Sequence, residues 1–134
     1  MQWSDGTNGG FTEGTPWIQV NENAHFINAE TELQDPDSVF MFYKKLIRLR
    51  KKYDIIAYGE FEQKAEKHLS IFAYKRYYRG KELLVINNFY GNQVCWDAGE
   101  DLEPYECLLG NYEKQDINGT EVILKPYETM ILYK

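Results

Sequence analysis

Glu60-Phe61-Glu62 sets two carboxylates on one face of an expected strand. Such a pair could be proposed as an acid/base couple, one carboxyl giving a proton and the other taking one. The same alternation also describes a solvated edge strand, whose charges keep it from pairing with other chains. That reading requires no catalytic role. His25 and His68 have no His, Asp or Glu partner at helical or strand spacing, so both read as surface histidines rather than metal ligands. Cys95 and Cys107 lie in apolar neighbourhoods, Val94-Cys95-Trp96 and Cys107-Leu108-Leu109. They are expected to be buried thiols in neighbouring strands. A disulfide between them would need an oxidising compartment, and their spacing is neither a zinc nor a redox pattern. Trp96, Tyr77, Tyr78, Tyr90 and Tyr112 could form an aromatic platform for sugars, although such residues more often fill the space between sheets. Asn118-Gly119-Thr120 matches a glycosylation sequon but is explained as a turn. There is no phosphate-binding glycine loop, dinucleotide fingerprint or nucleophile elbow. No catalytic residue, metal or organic cofactor is expected.

A chain of 134 residues, 43% hydrophobic and 27% charged, can build one domain with a real core. Its net charge of -6, with both signs interspersed, provides no basic stripe for phosphates, so nucleic acid is not an expected partner. No apolar run reaches membrane-spanning length, and no secretory signal opens the chain. Aromatic residues make up 16% of the chain, eleven of them Tyr. That excess suits β-structure or a surface that handles rings.

Asp35-Pro36-Asp37-Ser38 carries the signals of a helix start: a capping Asp, a Pro for the first helical position and a further acid at the positive end of the dipole. Val39, Phe40, Phe42, Tyr43, Leu46, Ile47 and Leu49 follow as one broad apolar stripe, with cations at Arg50 to Lys52. The pattern predicts a helix over residues 36–52. From Ile55 onward strands are expected. Ile71, Ala73 and their alternating neighbours lead through a turn at Arg79-Gly80-Lys81 into Glu82–Phe89. Further strands are expected near 93–97, 105–109, 115–118, 121–125 and 129–133, with Asn118-Gly119 as a hairpin turn. Turn signals every eight to twelve residues indicate an antiparallel sandwich of about seven strands.

The first twenty residues show neither strand nor helix periodicity, yet they include Trp3, Phe11 and Trp17. Large apolar groups in an irregular lead need something to pack against. The lead therefore predicts a scaffold upstream, with this chain as the C-terminal piece of something larger. Residues 1–33 are expected to be mobile unless another molecule holds them.

Met1-Gln2-Trp3, Gly10-Phe11-Thr12, Pro16-Trp17-Ile18 and Val20-Asn21 resemble the stretch after the last catalytic strands of the α-amylase superfamily of glycoside hydrolases. The subgroup most similar is that of oligo-1,6-glucosidase, dextran glucosidase and trehalose-6-phosphate hydrolase, where Thr-Pro-Met-Gln-Trp opens this region. The resemblance continues through Ile27-Asn28-Ala29-Glu30, residues 35–40 and Tyr43 to Lys51. It then runs through Tyr58-Gly59, Ile71-Phe72-Ala73-Tyr74, Leu84 to Phe89 and Leu124-Lys125-Pro126-Tyr127-Glu128. It implies an α+β fragment. Residues 1–54 would be a remnant of a (β/α)8 barrel, comprising the loop after its eighth strand and its final helix. Residues 55–134 would be a C-terminal antiparallel β-domain. The implied parent is a retaining α-glucosidase acting on small oligosaccharides, α-1,6-linked or trehalose 6-phosphate. Asp35-Pro36-Asp37-Ser38 and Asn87-Asn88-Phe89-Tyr90 lean towards the latter. The Asp nucleophile, Glu acid/base and second Asp of that mechanism are implied upstream; no position here matches them. The piece alone is expected to be inactive and to self-associate through the exposed helix face. A free-standing carbohydrate-binding module is the alternative.

Overall fold

The computed structural model describes residues 2–134. They form two compact units, Met1–Arg48 and Leu49–Lys134.

In the first unit the irregular lead is organised by its own backbone. Trp3 and Ser4 N–H groups donate to the Gly9 carbonyl, and the Asn8 side chain donates to the carbonyls of Thr12 and Gly14. The lead is also tied to α1 (Ala29–Gln34), because Ala29 and Glu30 N–H donate to the carbonyls of Gln2 and Trp3. Asn28 is fully buried and caps α1: its Oδ1 accepts from Thr31 N at 2.9 Å, and its Nδ2 donates to the Ala24 carbonyl at 2.9 Å. The long helix, α2, spans Val39–Lys52 and so begins later than the expected position 36. The reason is a division of capping labour. Asp35 closes a turn, accepting Asp37 N on its side chain and Ser38 N on its carbonyl. Ser38 and Glu32 then cap α2, through Met41 N to Ser38 Oγ and Phe40 N to Glu32 Oε2.

In the second unit, the stretch expected to begin as strand begins as a short helix, α3 (Asp54–Tyr58), with Ile55 buried beneath it. The Arg76 guanidinium holds its end by donating to the carbonyls of Ile55 and Gly59. A side chain at Gly59 would place a Cβ 2.5 Å from the Ile55 carbonyl oxygen, so only glycine fits there.

Eight strands follow, against about seven expected: β1 (Glu60–Lys64), β2 (Ile71–Tyr78), β3 (Lys81–Asn88), β4 (Val94–Asp97), β5 (Glu106–Gly110), β6 (Asp116–Asn118), β7 (Glu121–Leu124) and β8 (Thr129–Tyr133). They form two antiparallel sheets, one of order β1-β2-β3-β8-β5 and one of order β4-β7-β6. The β2–β3 turn places Arg79 and Gly80 at positive φ, the geometry that matches strand twist in a two-residue hairpin. Strand parity assigns the core. Ile71 and Ala73 of β2, Leu84 and Ile86 of β3, and Met130 and Leu132 of β8 face inward, and Val122, Leu124 and partly buried Trp96 of the smaller sheet pack with them. The opposite face of the larger sheet carries a second cluster, Leu83 and Val85 under Ile55, with Tyr74, Ile131 and Tyr133 beside them.

Candidate functional site

The groups that might have done chemistry are dispersed. Glu60 and Glu62 lie on β1, at the exposed edge of the larger sheet. Glu62 accepts from Lys64 Nζ and Tyr77 Oη, each at 2.6 Å. These bonds, that of Lys64 foremost, hold its carboxyl below the ordinary range. A general acid needs the reverse shift. His25 is exposed and paired with Asp5. The His68 Nδ1 accepts from the N–H groups of Ser70 and Ile71, capping the loop before β2. Among the described residues no cluster of three or more His, Cys, Asp or Glu could hold a metal, and no helix is long and apolar enough to cross a membrane.

The expectation of two buried thiols in neighbouring strands does not hold. Cys95 is exposed on β4 and Cys107 is half-buried on β5, strands of different sheets, and both are free. Alternation on β4 explains it: Trp96 opposite Val122 points into the core, so Cys95 points away from it. Burial pushes the Cys107 thiol upward, away from the reactive thiolate. The five aromatics considered as a sugar platform are likewise scattered. Trp96 faces the core, and Tyr77 and Tyr78 take opposite faces of β2. The hydroxyl of Tyr112 is tied to the Pro126 carbonyl.

Two features that the residue patterns did not single out are built by the sandwich. The first is a charge cluster. Lys75 sits on the core face of β2, only 3% exposed. Its Nζ donates to Glu82 at 2.7 Å and Glu100 at 2.5 Å. Tyr105 Oη donates to both carboxylates, and Lys134 Nζ lies 3.4 Å from Glu82. Burial opposes the charge on Lys75, but its bonds to Glu100, Glu82 and Tyr105 outweigh that and raise its pKa. The bond from Lys75, reinforced by Tyr105 against the effect of burial, holds Glu82 down at about 2 from an ordinary 4.5. A carboxyl depressed in the folded state stabilises the fold above its unfolded pKa and loses that contribution as pH falls through the folded one. The second unit should lose roughly 3 kcal/mol between pH 4.5 and about 2 for this reason. Urea midpoints followed by Trp96 emission, with Trp3 and Trp17 replaced by Phe, should show this acid arm. Glu82→Gln should flatten it, and an unchanged arm in that variant would assign the acid sensitivity elsewhere.

The second feature is a ladder of rings on the outer face of the larger sheet. Phe61, Tyr74, Phe72 and Phe89 follow one another at centroid distances of 5.3, 5.7 and 6.3 Å. The first unit is exposed in its own way. No residue of α2 is buried, and Val39, Tyr43 and Ile47, four residues apart, are open to solvent along one face. In the lead, Trp3 stacks edge-on to Phe11 at 6.3 Å, and Trp17 is 94% exposed. A hollow of about 700 Å³ is lined there by Gln2, Phe11, Pro16, Trp17 and Val20. Neither unit presents an assembled catalytic centre. Both present exposed apolar side chains.

Residues 1–59 match the family model described as the alpha amylase catalytic domain, and residues 71–131 match the alpha-amylase SusG C-terminal domain. The chain belongs to the α-amylase family. It is 43% identical to an oligo-1,6-glucosidase of Halalkalibacterium halodurans and 44% identical to a trehalose-6-phosphate hydrolase of Bacillus subtilis, over 98% of its own length and 24% of theirs. The crystal structure of Bacillus licheniformis trehalose-6-phosphate hydrolase superposes with a TM-score of 0.89 at 40% identity, again over 98% of this chain and 24% of that one. The chain thus spans about a quarter of the length of the relatives it matches. The α+β fold with its antiparallel sandwich is that of a family member's C-terminal region.

Proposed function

We propose that this chain serves as the C-terminal structural part of a retaining α-glucosidase that cleaves α-glucosidic bonds of small oligosaccharides, α-1,6-linked or trehalose 6-phosphate. The observation that carries the reading is the continuity of the match. A catalytic-domain match passes directly into a C-terminal-domain match, and relatives 37–44% identical cover at least 97% of the chain. On this reading residues 1–54 supply the loop after the eighth barrel strand and the final barrel helix, and residues 55–134 the closing β-domain. The exposed rings of the lead and the α2 stripe are then surfaces meant for a barrel. Alone in solution the stripe of Val39, Tyr43 and Ile47 is left to self-association. The names of the relatives divide between oligo-1,6-glucosidase and trehalose-6-phosphate hydrolase, and a cytoplasmic site of action belongs to the same reading.

On this reading the catalytic carboxylates belong to earlier barrel strands and the contribution of this chain is architectural. Incubated alone with p-nitrophenyl α-glucoside or trehalose 6-phosphate, it should give no turnover above a blank. Turnover that survives repurification would overturn the assignment.

A further inference from the structure

We propose that the Phe61–Tyr74–Phe72–Phe89 ladder is an inter-domain docking face, covered by the part of the catalytic domain that this chain does not span. The proposal rests on the α-glucosidase reading above.

Three observations point to that occupant. The first is continuity. Tyr74 belongs both to the ladder and to the packed cluster of Ile55, Leu83 and Val85. The outer face of the larger sheet therefore carries one apolar run, sealed by α3 at one part and open at the other. In the open part Phe61 and Phe89 are 56% and 63% exposed. The second is the chemistry of the surroundings. A sugar site needs several free polar groups to orient the ring; beside the ladder Gln63, opposite Tyr74, is one, but Asn87 and Arg76 are spent within the sheet. Asn87 donates to the Phe72 carbonyl and accepts from Thr129 Oγ1. Arg76, opposite Phe61 in the β-ladder, is committed to the carbonyls of Ile55 and Gly59. Three of the four rings are Phe, with no polar atom of their own. The face suits a packed apolar partner. The third is length. About three quarters of each relative lies outside the match, so on the α-glucosidase reading the occupant is a body of the size those relatives carry there.

The test compares one double substitution, Phe61→Lys with Phe89→Lys, in two settings. One is this chain alone. The other is the Bacillus subtilis hydrolase with its matching stretch replaced by this chain. In the chain alone the rings face water, and the thermal midpoint should stay within about 2 °C of wild type, as for other surface changes. In the exchanged hydrolase the same pair should speed irreversible thermal inactivation at least ~tenfold. Equal destabilisation in both settings would make the rings internal packing and overturn the proposal. No effect in either would leave the face open in the intact enzyme and overturn it too. A chain that dimerises through the rings, or binds dextran through them, and loses that property in the double variant would give the face to another occupant. An unsubstituted exchanged hydrolase that folds but does not hydrolyse trehalose 6-phosphate would instead strike at the α-glucosidase reading.

Discussion

Lys75→Ala should destabilise the second unit by about 3 kcal/mol, the largest effect expected of any single polar substitution in this chain. The ammonium of Lys75 is buried and satisfied by Glu82, Glu100 and Tyr105. Deleting it leaves two carboxylates facing each other across Tyr105, which donates to both. Each of those carboxylates keeps some contact with water, about 27% for Glu82 and 30% for Glu100. The effect therefore falls at the lower end of that seen when a fully buried pair is broken. The size of the loss should also depend on pH. Near pH 7 the two carboxylates are left with Lys134 Nζ, 3.4 Å and 3.8 Å away, and the loss is greatest. Towards pH 4 Glu82, no longer held down by Lys75, takes up its proton and part of the loss is recovered. Urea denaturation of wild type and variant at both values is the check. A difference that does not shrink on acidification would mean that Lys75 acts through the packing of its methylenes rather than its charge.

Much of this fold was legible because its signals are local. The Arg79-Gly80 turn, the Asn118-Gly119 hairpin signal (met one residue later, at Gly119-Thr120 between paired Asn118 and Glu121), the alternation through β2 and β3, and the apolar stripe of α2 each depend on neighbours a few residues apart. The misjudged points depend on partners further away. Asp35 and Pro36 carry every mark of a helix start, yet Glu32, from the preceding helix, joins Ser38 in capping the first turn of α2 and moves the start to Val39. Ile55 and Ile56 look like strand by composition. They fold as a helical turn because Arg76, 21 residues from Ile55, fixes its carbonyl. The cysteines were misplaced because an apolar neighbourhood in sequence says nothing of parity: Val94 and Trp96 turn towards the core and leave Cys95 outside.

The same distinction governs the functional surfaces. Lys75 could have been noticed, since it follows Ile71 and Ala73 on the buried face, where a charge demands partners. Those partners, Glu100 and Tyr105, are 25 and 30 residues away and were not predictable. The ring ladder draws on β1, β2 and the end of β3, so it exists only once the strands pair in register. Family resemblance was legible from short motifs such as Met1-Gln2-Trp3 and Lys125-Pro126-Tyr127-Glu128.

Exchange into a working relative tests the central claim most directly. The Bacillus subtilis trehalose-6-phosphate hydrolase, with its 44%-identical stretch replaced by this chain, retains every barrel strand implied to carry the catalytic carboxylates. If the chain is a structural C-terminal part, the exchanged enzyme should fold and hydrolyse trehalose 6-phosphate with kcat/KM within about tenfold of the parent, a transition-state loss under about 1.4 kcal/mol. The hydrolase lacking the stretch altogether should be insoluble or inactive, because the surfaces that α2 and the sandwich cover would be laid bare. A soluble exchanged protein with native secondary structure and no hydrolysis, or a truncated hydrolase as active as the parent, would contradict the account.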